Sequence, residues 1–155
     1  TLQPLLAKEP KRLQYQMALV EILSGEKNLA EADSVIQKVL QQQPDNYPAT
    51  MQAARILQAE GHYDVAAKSL TRLLDTHRDN PQVWFQLAEV RGLAGDIGGV
   101  HLARAEYFIL NGVFDQARQQ LIYAMQAYPS NTVQTARIKQ RLHELSEIEA
   151  QSLEL

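Results

Sequence analysis

Apolar residues in this chain recur with a period of 34, and this constrains the fold more than any other feature. Leu2, Ile36 and Leu70 stand 34 residues apart, as do Leu5, Val39 and Leu73, Leu23 and Leu57, and Ala32 and Ala66. Pro10 and Pro44 keep the same interval, and Asp45-Asn46 returns 34 residues later as Asp79-Asn80. Independent ladders at one such period mark a supersecondary unit that stacks on copies of itself. Each period holds two segments. Leu19/Val20/Leu23, Ala53/Ala54/Leu57 and Leu87/Ala88 belong to the first; Leu29/Ala32/Ile36/Val39 and Tyr63/Ala66/Leu70/Leu73 belong to the second. Spacings of three and four predict amphipathic helices, not strands. Gly61, Gly95 and Gly112 lie between segments, where a left-handed residue that ends a helix favours glycine. Asn80 is placed to cap a helix beginning at Pro81, and Pro10, Pro44 and Pro129 stop the helices before them.

The small residues predict where helices cross closely. Ala32, Ala66 and Ala117 occupy the second helix of a pair, with Ala54, Ala88 and Ala105 opposite. One irregularity breaks the period. Gly61-His62-Tyr63-Asp64-Val65-Ala66 and Gly112-Val113-Phe114-Asp115-Gln116-Ala117 are near copies, yet they stand 51 residues apart, which is 34 plus 17. The sequence therefore divides into a half repeat (1–12), repeats 13–46 and 47–80, a half repeat (81–97), an irregular repeat (98–131) and a capping helix (132–155) that frays after about Ala150. Segment 98–111 should be a second-type helix but aligns better as another first-type one. Arg104 takes an apolar slot there, and Gly98-Gly99 replaces an ordinary turn. The expected fold is all-α: a solenoid of antiparallel helix pairs with one out-of-register hairpin, separate from the rest, over 98–128.

Composition narrows the function. Apolar residues make up 45% and charged residues 21% of the chain, enough to bury a core. Fifteen basic residues against eighteen acidic ones, with no Lys/Arg block, argue against nucleic acid, which clustered cations bind. No cysteine is present, so thiolate metal sites and cysteine nucleophiles are excluded. No apolar run approaches the roughly 18 residues of a membrane span. Starting at Thr1 inside a repeat, the chain reads as an excised piece of a longer one.

The pattern resembles the tetratricopeptide repeat family. Trp84/Leu87, Tyr63/Ala66/Leu70 and Phe114/Ala117/Leu121/Ala124/Pro129 match its W-x2-L…Y, A-x3-F and A-x4-P positions. A narrower resemblance covers residues 98–142. The run from His101 to Phe108, then Gly112, Asp115-Gln116-Ala117-Arg118, Gln120-Leu121, Thr135-Ala136-Arg137-Ile138 and Arg141-Leu142, looks like the C-terminal repeat domain of bacterial periplasmic zinc metalloproteases. That resemblance implies a periplasmic location and a parent chain whose HExxH domain holds zinc. It implies that the repeat domain docks the outer-membrane β-barrel assembly machinery, outer-membrane protein substrates or its own protease domain. No catalytic residue and no cofactor is carried by these 155 residues under that reading. A general scaffold binding other peptides is the alternative.

Candidate contact residues follow from the register. First-type helices line the inner surface of a repeat stack, which places Met17, Glu21, Met51, Arg55, Gln58, Phe85, Gln86 and Glu89 there. Met51 and Phe85, 34 apart, read either as core or as an apolar stripe for a peptide. Met17 and Met51 stand where co-chaperone repeats place a carboxylate-clamping Lys or Arg, which argues against chaperone-tail binding. His101 reads either as a surface helix residue or as a partner contact. Arg91 and Arg104 sit at apolar positions; an ion pair with Glu89, Asp96 or Glu106 inside the irregular hairpin is the favoured reading, and a basic contact for a partner the other. His143 and Glu147 share a helix face but lack the further ligands that zinc needs. No catalytic constellation or phosphate loop stands out, so the piece is read as a binding module and not an enzyme.

Overall fold

The computed structural model describes the backbone of residues 13–25 and 28–155, with side chains other than those of residues 13–15, 22 and 24. The half repeat expected over 1–12 lies outside the described residues. Eight helices and no strand are present among the described residues: α1 Leu13–Gly25, α2 Leu29–Gln42, α3 Tyr47–Ala59, α4 Tyr63–His77, α5 Pro81–Leu93, α6 Ile97–Leu110, α7 Phe114–Ala127 and α8 Thr132–Ser152. They fall into two compact units, α1–α4 and α5–α8, divided between His77 and Arg78.

Local chemistry sets the helix ends. The Asn46 carboxamide oxygen accepts from the Ala49 N–H at 2.9 Å, Asn80 from Gln82 at 3.0 Å and Asn131 from Gln134 at 3.0 Å. Each cap satisfies an amide that the helix leaves orphaned and contributes about 1 kcal/mol. At the other ends, Gly61, Gly95 and Gly112 have φ of 82°, 80° and 72°. In all three turns two hydrogen bonds close the helix: His62 N–H to Leu57 C=O, Asp96 N–H to Arg91 C=O and Val113 N–H to Phe108 C=O, each paired with a bond from the glycine amide. A side chain at such a φ crowds the backbone. Gly112→Ala is expected to destabilise residues 78–155 by about 1–2 kcal/mol in urea unfolding.

In the first unit, α1 pairs with α2 and α3 with α4, and α2 also packs on α3. Its core is formed by Leu19, Val20, Leu23, Ile36, Val39 and Ile56 around the small residues Ala32, Ala49 and Ala53. Ala32, Ala54, Ala66, Ala105 and Ala117 are all fully buried, as their crossing role requires, and Ala88 is nearly so.

The second unit explains the interval of 17. The turns at Gly95 and Gly112 have the same geometry, and a single helix, α6, separates them. It packs against α5 on one side and α7 on the other, so 98–128 does not stand apart from the preceding helix as the sequence suggested. A helix shared in this way must be apolar nearly all round; in α6 only Arg104 and Glu106 carry a formal charge. Gly98 and Gly99 do not form the turn. They are buried inside the first turn of α6. A Cβ on Gly98 would lie 2.2 Å from Tyr128 Cζ, and one on Gly99 2.0 Å from Asp96 Oδ2, so both glycines permit close approach. Asp96 caps α6 by accepting from Gly99 N–H at 2.9 Å. The terminal helix continues past Ala150 to Ser152, because Leu145 and Ile148 still meet the core and Glu149 pairs with Arg118.

Tyr128 fills the space left by Gly98. Burial, reinforced by the Asp96 carboxylate and opposed by Arg91, holds its phenol above the ordinary pKa. The folded chain therefore keeps this proton to higher pH than the unfolded chain. The associated stability is intact below the ordinary phenol range and is lost as pH rises through the raised value. Urea titrations above about pH 10 are expected to show a steeper loss of stability than in Tyr128→Phe.

Candidate functional site

At 100° per residue, α6 presents four faces, and named contacts assign three of them. Towards α5, Arg91 donates to Gly99 C=O at 3.3 Å, Val100 packs at Gly92, and the Tyr107 ring lies 5.6 Å from that of Phe85. Towards α7, His101 Nδ1 and Gln120 Oε1 are 2.8 Å apart, the His101 ring meets Tyr123 at 5.3 Å, and Ala105 and Ile109 join the core. Towards α8, the Glu106 carboxylate accepts two hydrogen bonds from Arg141, at 2.7 and 2.6 Å.

The fourth face is open. Ile97 is 58% exposed, Arg104 is exposed, and His101 and Phe108 flank them. The Tyr107 and Phe108 rings are 5.6 Å apart, edge to face, so Phe85, Tyr107 and Phe108 form a continuous aromatic run to one side of Arg104. His101 and Tyr123 lie on the other side. Arg104 makes no ion pair among the described residues. The favoured reading of a buried ion pair at Arg104 is therefore corrected: of the three available acids, Glu106 pairs with Arg141 of α8 and Asp96 with Arg91, and Arg104 is exposed. Arg91 does pair, with Asp96 at 3.8 Å. An accessible guanidinium among partly exposed rings has the composition of a protein-binding hot spot: the rings take apolar side chains and the guanidinium takes a carboxylate or a carbonyl.

The structure thus brings together Phe85, His101 and Arg104 out of the ten residues chosen from the sequence. Glu89 is exposed one turn along α5 from Phe85, whereas Gln86 is only 4% exposed and faces the core. In the first unit Glu21 and Arg55 are exposed, Met17 and Gln58 are half-buried, and Met51 is 6% exposed. Met51 and Phe85 hold the same register position, yet the first is core and the second is surface. Tyr107, Phe108, Gln120 and Tyr123 were not among the residues chosen; the mostly apolar character of 100–110 was a signal for Tyr107 and Phe108, and Gln120 and Tyr123 on α7 had none. The first unit also carries a groove of about 430 Å³ between the end of α2, α3 and α4, lined among others by Leu40, Asp45, Thr50, Arg72 and Leu73. None of the chosen residues reaches it. His143 and Glu147 are 3.5 Å apart on an exposed stretch of α8, and no group of three or more candidate metal ligands occurs among the described residues. No described helix is long and apolar enough to cross a membrane.

Residues 23–89 match the tetratricopeptide repeat family model. That match spans less than half of the chain. Solved structures extend the likeness beyond the matched segment. A MamA RS-1 ArsTM double mutant has 14% identity and a TM-score of 0.66, over 94% of this chain and 82% of that one. A tetratricopeptide repeat protein from Parabacteroides merdae has 14% identity and a TM-score of 0.54, over 98% and 67%. YrrB, described as a tetratricopeptide repeat protein with an unusual peptide-binding site, has 12% identity and a TM-score of 0.54, over 100% and 98%. At these identities the likeness concerns the fold, an all-helical tetratricopeptide-type solenoid. A search of curated proteins finds no match.

Proposed function

We propose that this tetratricopeptide domain is the protein-docking module of a periplasmic zinc metalloprotease that resembles the β-barrel assembly-enhancing protease. Its partners are the outer-membrane β-barrel assembly machinery and outer-membrane protein substrates, and contact with its own protease domain gates the catalytic cleft. Zinc belongs to that protease domain, and these residues supply binding alone. The observation that carries the reading is the open face of α6, where Arg104 and the surrounding rings form a surface suited to a protein partner. His101, Arg104, Tyr107, Phe108 and Tyr123 of this face fall inside the segment, 98–142, whose sequence resembles the protease family. A general scaffold for other peptides is the second reading, favoured by the family match itself, which covers 23–89 and contains nothing specific to a protease.

Photo-cross-linkers at positions 85, 101 and 104 of the full-length protein, expressed in its native cell, test the proposal. Adducts with the assembly machinery, with an outer-membrane protein or with the protease domain are expected. Position 139, exposed on α8, serves as the control. Adducts with none of these three, or equal yields from position 139, would reject it.

A further inference from the structure

The opposite side of α6 is closed by α8, and the way it is closed differs from the rest of the molecule. Over its 21 residues α8 buries only Ile138 and Leu145 fully, with Leu142 and Ile148 packed beside them. These four lie at i, i+4, i+7 and i+10, a single narrow stripe. The trough that receives them is lined by Ala105, Ala117 and Ala124 with Ile109 and Leu121, and Leu102, Phe108, Phe114 and Met125 pack against the same cluster. Two charge clamps complete the attachment. Arg141 holds Glu106 of α6, whose side chain is 16% exposed, and also reaches Glu144 at 2.8 Å. The Glu106 hydrogen bonds, opposed by burial, raise the Arg141 pKa above its ordinary value. Two turns further on, Glu149 of α8 pairs with Arg118 of α7, which Asp115 also holds. The α5–α6–α7 arrangement adds close packing at Gly98 and Gly99 and the apolar faces of α6 to its own polar links, Arg91 to Gly99 C=O and His101 with Gln120.

We infer that α8 is a detachable lid: it leaves the α6–α7 trough as a unit while α5–α7 stay folded, and the Glu106–Arg141 and Arg118–Glu149 clamps set how often it opens. A helix in a protein owes most of its stability to the packing of its apolar face, so opening weakens the α8 helix as well. Opening uncovers an apolar trough with a carboxylate at Glu106 and a guanidinium at Arg118. Its shape and charges fit an amphipathic helix with the α8 pattern.

Hydrogen exchange of the full chain, resolved by peptide mass spectrometry, tests this. In the unaltered chain the amides of α8 should exchange at least about tenfold faster than those of α6 and α7, through a separate, smaller opening. Glu106→Gln removes one clamp with little change of shape, and α8 exchange should accelerate about tenfold again while α5–α7 hold their rates, since a charge-assisted hydrogen bond is among the stronger polar contacts. Arg118→Gln is the companion variant, at the more exposed clamp, and should act in the same direction. Exchange of α8 in step with α5–α7 would overturn the inference. So would acceleration of all four helices together in either variant, or unchanged α8 rates in both.

Discussion

Trp84→Ala is expected to lower the stability of residues 78–155 by about 3–5 kcal/mol, the usual range for removing a large buried aromatic side chain. Trp84 is 8% exposed on α5. Its indole N–H donates to Arg78 C=O at 2.7 Å, which ties the start of the second unit to its first helix. The Arg78 guanidinium also lies 5.9 Å from the ring centroid. The effect should divide into two parts. Trp84→Phe keeps most of the apolar volume and loses the hydrogen bond, so it should cost about 1 kcal/mol beyond the smaller ring. Urea unfolding followed by circular dichroism checks both values. A cost for Trp84→Ala below about 1 kcal/mol would show that this residue does not anchor the unit.

Ala103→Leu and Ala105→Leu are each expected to destabilise the unit by about 1–3 kcal/mol, because both add methylenes to a closely packed helix crossing. The pair is informative because the two alanines point in different directions. Ala105 belongs to the core shared with α7 and α8, whereas Ala103 lies on the side of Gly99, Val100 and Tyr107, which meets α5. Both are fully buried. A helix that belonged only to the 98–128 hairpin would tolerate Ala103→Leu within about 0.5 kcal/mol, as ordinary surface positions do. Equal penalties at the two sites are the expected signature of a helix shared by two neighbours, and thermal unfolding should show a fall of several degrees for each.

Those two alanines also show how far the sequence could be read. Local signals were legible. The Asn80 cap, the three positive-φ glycines and the buried alanines each act within a few residues of themselves, and each is where the pattern put it. The doubled use of α6 left a trace in the intervals between glycines, 34 and then 17. What that trace meant depended on contacts far apart in the chain. Gly98 faces Tyr128, and Glu106 faces Arg141, at separations of 30 and 35 residues. Periodicity cannot supply such pairings, so from the sequence Gly98-Gly99 stands in place of an ordinary turn, and Glu106 is one of three acidic residues, with Glu89 and Asp96, available to Arg91 and Arg104. For the candidate site the limit was similar. Met51 and Phe85 share a register position, and only the surrounding packing makes one core and the other surface.

The central functional claim is that the open face of α6 docks protein partners, and a charge reversal at its centre tests it most directly. The affinity of the full-length protein for the purified outer-membrane β-barrel assembly machinery should be compared with that of Arg104→Glu. Arg104 is exposed and makes no ion pair among the described residues, so the variant should keep its stability within about 0.5 kcal/mol. Binding is expected to weaken at least about tenfold, because the substitution places a like charge against any carboxylate the face accepts. An unchanged affinity in a stably folded Arg104→Glu protein would contradict the claim.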